Sequence, residues 1–135
     1  MAENIVVKDQ LTDAMVDGGA DLTRKLDELG LKTSAAFWFF MPDLNEWRLL
    51  FASSEVSAKG SRDVYRRIGR AIDALGRGTS AVPLSAVGLL ENDADLLKAL
   101  RRVVALTGPG LARLRISKSA VNGHFIDDVL VYRME

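Results

Sequence analysis

The chain of 135 residues contains no cysteine, which excludes disulfides, thiol nucleophiles and thiolate metal sites. Its single histidine, His124, rules out a multi-histidine metal centre within one subunit and leaves only a carboxylate Mg²⁺ site formally open. No metal and no cofactor are therefore expected. No uninterrupted apolar stretch reaches the roughly 18 to 20 residues of a spanning helix, and the opening MAENIVVKDQ lacks the basic and apolar regions of a signal peptide. A cytoplasmic location without membrane contact is the expectation. Net charge is also absent, with 18 basic against 18 acidic residues, which argues against a dedicated nucleic-acid binder. The balance is uneven, however. Residues 1–60 carry six basic and ten acidic groups and residues 61–135 carry twelve and eight, so the halves stand at −4 and +4. That division fits complementarity within or between subunits, and it leaves a polyanion contact on the basic half open.

What the chain does have is a concentrated apolar hairpin. Residues 35–41, AAFWFFM, are followed by a Pro42-Asp43 turn and by Trp47-Arg48-Leu49-Leu50-Phe51. Because a strand sends alternate side chains to opposite faces, Phe37, Phe39 and Met41 fall on one side and Trp38 and Phe40 on the other. Both faces need cover.

The remaining elements follow from spacing. Leu11, Met15, Gly18, Leu22, Leu26 and Leu29 predict a helix over 12–29 ended by Gly30, with Gly18 and Gly19 marking either a close approach or a break. A second helix is expected over 61–75, capped by Ser61, with Val64, Ile68, Ile72 and Leu75 inward and Gly76-Arg77-Gly78 stopping it. Residues 82–90 read as a short strand beginning at Pro83. A third helix, capped by Asn92 or Asp93, runs to about residue 106 with Leu97, Leu100, Val103 and Val104 on one side, and Thr107-Gly108-Pro109-Gly110 ends it. The last element is a hairpin about Asn122-Gly123, a pair suited to a type I′ turn. Helix followed by hairpin occurs twice, so a duplicated unit is conceivable, although the two copies share only the tripeptide Ala-Asp-Leu.

This order predicts one α+β domain over 1–135: a four- or five-stranded, mainly antiparallel sheet built from two hairpins plus a short strand, packed with three helices. If the helices sit on one side, the first hairpin leaves a large aromatic patch on the other. A homodimer through the sheet follows from that arrangement; helices on both faces of a monomeric sheet are the alternative.

The aromatic strand with Glu46-Trp47-Arg48-Leu49, the helical Tyr65-Arg66-Arg67-Ile68, the Gly108-Pro109-Gly110 loop, and Val121-Asn122-Gly123-His124-Phe125-Ile126-Asp127-Asp128 with Tyr132-Arg133 together resemble a group of small bacterial proteins of unknown function. The resemblance covers most of the chain. It implies a stand-alone bacterial domain and carries no activity with it.

Two sets of residues are candidates for function. With Asn122 and Gly123 at the turn, Ser117 pairs with Asp128, Arg115 with Leu130 and Arg113 with Tyr132. One face then holds Leu114, Ile116, Phe125, Val129 and Val131, and the other presents Arg113, Arg115, Ser117, Ser119, His124, Asp128 and Tyr132. Arg113, Arg115, His124, Asp128 and Tyr132 form the candidate binding set. His124 and Asp128 are four residues apart on one strand, roughly 13 Å at 3.3 Å per residue, so they do not form a catalytic dyad. Asp127 points to the opposite face, toward Lys118. The second set is Arg62, Arg66, Arg67 and Arg70, which could grip phosphates while Tyr65 stacks on a base. The glycine pairs lack the spacing of a dinucleotide site or a P-loop. The leading function is a non-catalytic binding or assembly module for a protein or small anionic partner. Nucleic-acid association through helix 61–77, or an enzyme site completed across a dimer interface near His124, remain as alternatives.

Overall fold

The computed structural model describes residues 7–76, 82–105, 110–121 and 123–135. The expected segments 77–78, 106–109 and Asn122 lie outside them. Helix α1 (Asp13–Glu28) starts where the Thr12 hydroxyl accepts a hydrogen bond from the Met15 amide at 3.1 Å. It ends at Gly30, whose φ of 83° lets the Leu31 amide reach the Leu26 carbonyl at 2.9 Å and the Gly30 amide reach that of Asp27 at 3.1 Å. Strands β1 (Ala35–Met41) and β2 (Glu46–Ala52) form the first hairpin.

A short helix α2 (Glu55–Lys59), which the apolar pattern does not signal, leads into α3 (Ser61–Leu75). Ser61 is already the first helical residue rather than its cap, and Gly60 and Gly76, both at positive φ, bound the helix. After a single 3₁₀ turn at Leu84–Ala86 comes β3 (Val87–Leu90), so the strand expected over 82–90 occupies only its second half. Helix α4 (Asp95–Val103) takes Ala94 as its N-cap, not Asn92 or Asp93. Asn92 is engaged elsewhere: its side chain accepts from the Ser34 hydroxyl, and its carbonyl accepts from Arg101 at 2.6 Å. Strands β4 (Leu114–Val121) and β5 (His124–Met134) complete the chain.

The fold is α+β, with the five strands in the order β3-β2-β1-β5-β4. Neighbours are antiparallel except β2 and β3, which run parallel. Helices lie on both faces of this open sheet. On one face Ala36, Trp38, Phe40, Trp47, Leu49 and Phe51 pack with α1 and α3; on the other Ala35, Phe37, Leu50 and Ala52 pack with α4 through Leu97, Leu100 and Val104. The hairpin divides its side chains as its alternation requires, and its own chain covers both sets. Burial of each large side chain stabilises by roughly 2 to 3 kcal/mol, which makes this hairpin the energetic centre of both layers. Among the described residues no helix is long and apolar enough to cross a membrane.

Two positions depart from simple alternation on β5. Opposite Ala36 and Phe37 the register shifts, so Tyr132 has no partner on β1 and both Tyr132 and Arg133 turn to the α1 face. Farther along, Lys118 on β4 takes a φ of 49°, and Ile126 joins Val129 and Val131 in the α4 layer while Phe125 is 64% exposed. The assignment of Phe125 to the core and Ile126 to the polar face is therefore reversed. The backbone kink at Lys118 resets the alternation between residues 126 and 129. On α4, Val103 is likewise exposed rather than inward.

Candidate functional site

The register of the last hairpin is the one its Asn-Gly turn dictates: Val121 with His124, Ser117 with Asp128, Arg115 with Leu130. Arg115 and Asp128 therefore lie diagonally across the two strands and meet through two charge-assisted bonds, Nε to Oδ1 at 2.9 Å and Nη2 to Oδ2 at 2.7 Å. Ser117 donates to Oδ1 at 3.0 Å. The fourth bond comes from a residue that the sequence pattern leaves unassigned. Lys8, in the polar run before α1, donates to Asp128 at 2.9 Å and to Asp127 at 2.8 Å. Asp127 thus shares a face with Asp128 instead of pointing away toward Lys118, a consequence of the same reset in alternation.

Lys8 also sits over the Phe40 ring at 4.5 Å, and Arg115 lies over Trp47 at 5.4 Å. The backbone around Lys8 is tied down as well: the Trp47 indole donates to the Asp9 carbonyl at 2.8 Å, and Asn45 bonds the Val7 carbonyl and the Asp9 amide. Two open clefts of about 430 and 450 Å³ flank this strap, one lined by Lys8, Gln10, Arg115 and Asp128, the other by Met15, Trp47, Arg48 and Ser85.

The electrostatics of the cluster are closed. Burial pushes the Asp128 carboxyl up, but hydrogen bonds from Arg115, Lys8 and Ser117 outweigh it and hold the group at about 2. For Lys8 burial works against the charge, and the two aspartates overcome it to raise its pKa. Two cations and two carboxylates neutralise one another, and Asp128 has spent its acceptor capacity on four bonds. This arrangement clamps the strap to the sheet; it offers no free nucleophile or base.

The other members of the set are dispersed. Arg113 precedes β4 and pairs with Asp17 of α1 at 2.9 Å, in the open. Tyr132 is 1% exposed, so it belongs to the core: its hydroxyl accepts from the Trp38 indole at 2.9 Å and donates to the Val16 carbonyl. Burial pushes its pKa up to about 12. His124 is half-buried at the start of β5, and its side chain takes part in no hydrogen bond or ion pair among the described residues. Arg133, outside the predicted set, is buried and grips Asp27 at 2.7 and 2.9 Å and Thr33 at 3.0 Å. Sequence offers one hint of this: a charged residue inside an otherwise apolar strand end needs a partner.

The arginine row behaves differently. Arg67 pairs with Glu55, whereas Arg62, Arg66 and Arg70 are exposed on α3 without an ion pair among the described residues. Tyr65 packs against the core with its hydroxyl toward the Val87 carbonyl, so its ring is not presented for stacking. Among the described residues no group of three or more histidines or carboxylates is placed to hold a metal ion. Comparison of the chain with family models, curated proteins and solved structures returned no match.

Proposed function

We propose that this chain is a non-catalytic assembly module of the bacterial cytoplasm that self-associates through its sheet, edge to edge at β4. The observation that carries the reading is the position of β4. Among the described residues it is an outer strand with no neighbour beyond it, and its run from Leu114 to Ser117, before the kink at Lys118, presents backbone donors and acceptors ready to pair. Leu114 stands 41% exposed on it, and Ile116, half-buried, follows on the same face. A second copy laid antiparallel about a two-fold axis would extend the sheet through both subunits and bring these side chains together. The aromatic hairpin, now covered within the chain, plays no part in the contact. The bacterial and cytoplasmic elements of the reading rest on the sequence resemblance and composition described above.

Light scattering at tens of micromolar protein tests this reading. A dimer is expected, and Leu114→Lys, which places a charge of the kind that blunts natural sheet edges, is expected to return a folded monomer. A wild-type monomer, or a dimer indifferent to Leu114→Lys, overturns it.

A further inference from the structure

A second surface is separate from the β4 edge. Among the described residues, Arg24, Arg48, Arg67, Arg113, Arg115 and Arg133 each have a carboxylate partner, and Arg101 bonds two backbone carbonyls. The arginines without a partner are Arg102 on α4 and the three consecutive members of one ridge of α3, Arg62, Arg66 and Arg70. Residues four apart on a helix rise about 6 Å per step along nearly one line, so the three guanidinium groups form a short cationic rail. Asp63 and Asp73 on the same helix make no ion pair with it.

The ridge continues to Ala74, and there the surface changes character. Ala74, Arg67 and Arg70 line an apolar pit of about 280 Å³ with Leu26, Leu31 and Leu29 of the α1 end. Leu26 and Leu31 are fully buried in its floor, and Leu29 is 51% exposed at its lip. The pit lies at the lower end of ligand-site volumes, and its leucine walls suit one aliphatic side chain.

We propose that the α3 ridge and the pit at its end form a docking surface for an acidic peptide segment of a partner protein, carboxylates on Arg62, Arg66 and Arg70 and one aliphatic side chain in the leucine pit. Charge complementarity selects an anionic partner. The pit selects a peptide over a nucleic acid, because a polynucleotide has no aliphatic group to place there and Tyr65 is not presented for stacking.

Fluorescence anisotropy on the full chain tests the proposal. The probe is a labelled peptide with three glutamates at four-residue spacing and a leucine one turn beyond. Arg66→Gln is expected to weaken binding about tenfold, the loss of one charge-assisted contact, and Leu→Ser in the peptide is expected to weaken it comparably. Arg102→Gln, which removes an equally exposed charge on the other face of the sheet, is expected to leave affinity unchanged. All are surface changes, and thermal melts confirm folding; Leu29→Ser serves as the protein-side check on the pit. The proposal is overturned if the peptide does not bind, if Arg102→Gln costs as much as Arg66→Gln, if the leucine makes no difference, or if a single-stranded oligonucleotide or anionic vesicle binds more tightly through the same arginines.

Discussion

Strand β5 carries two polar clamps, one at each of the places where two adjacent side chains turn to the same face, and they differ in what surrounds them. Tyr132 and Arg133 reach into the layer beneath α1, where Tyr132 bridges Trp38 to the Val16 carbonyl and Arg133 grips Asp27 and Thr33. Asp127 and the buried Asp128 hold Lys8 of the strap, which lies at the rim. In the first clamp, losing a partner strands a polar group away from water; in the second, loss of Lys8 leaves Asp128 its bonds from Arg115 and Ser117. The difference teaches that similar backbone irregularities produce a core contact or a detachable latch according to how far the partner they hold stands from water: Trp38 is buried, whereas the Lys8 side chain is 41% exposed.

The contrast breaks most visibly at Gly19. A Cβ there would stand 2.5 Å from the Tyr132 hydroxyl and 2.7 Å from the Trp38 indole nitrogen. Both are rigid aromatics bonded to each other, so neither can retreat without losing that bond. Gly19→Ala is expected to destabilise the fold by about 3 kcal/mol, combining overpacking with a broken buried hydrogen bond, despite Ala being the better helix former. Urea denaturation measures it. A neutral or stabilising result would show that α1 shifts freely over the sheet and that the Tyr132 clamp does not set their spacing.

Gly19 also shows how far the sequence could be read. A glycine in the middle of an apolar helical stripe announces a close approach or a break, but nothing in the local pattern names the Tyr132 hydroxyl, distant in sequence, as the approaching group. The hairpins were legible because a period of two and an Asn-Gly turn fix register without outside information, and the Ser117 to Asp128 pairing follows from the turn alone. Side-chain facing between Lys118 and Asp127 was not legible, since one residue at positive φ reverses the assignments on the turn side of it and leaves those from Asp128 onward in place. Thus Phe125 and Ile126 exchange places and Asp127 joins Asp128. Lys8 was missed for another reason: its segment has neither helical nor strand periodicity, and it is ordered by tertiary bonds to Asn45, Trp47 and the two aspartates.

A smaller effect is expected from acid at the rim clamp. The Asp128 carboxyl titrates at about 2 in the fold against an ordinary value of 3.8. A carboxyl with a depressed folded pKa contributes stability that is complete above its unfolded value and is lost as pH falls through the folded one. The window is therefore from about pH 4 down to about pH 2, and the contribution is about 2 kcal/mol. Asp128→Asn is expected to lose it already at neutral pH and to show a correspondingly flatter acid limb in thermal melts. An acid limb as steep as that of the wild type would assign the effect to other carboxylates.

The smallest change in stability belongs to Lys8, and it sharpens the comparison furthest. Its side chain is 41% exposed although it meets both aspartates, so solvent screens the pair and Lys8→Met is expected to cost less than about 1 kcal/mol of global stability. Local order is a different matter. The Trp47 indole N–H is covered by the Asp9 carbonyl at 2.8 Å, one residue beyond Lys8, and that bond opens whenever the strap lifts. Hydrogen exchange of the indole proton should therefore accelerate markedly in Lys8→Met while the protection of β1 and β5 amides is unchanged, because local opening of a rim segment is uncoupled from global unfolding. A loss of several kcal/mol would instead make the strap part of the core. Unchanged indole exchange would identify Asn45, which bonds the Val7 carbonyl at 3.0 Å and the Asp9 amide at 2.9 Å, as the group that holds the segment down.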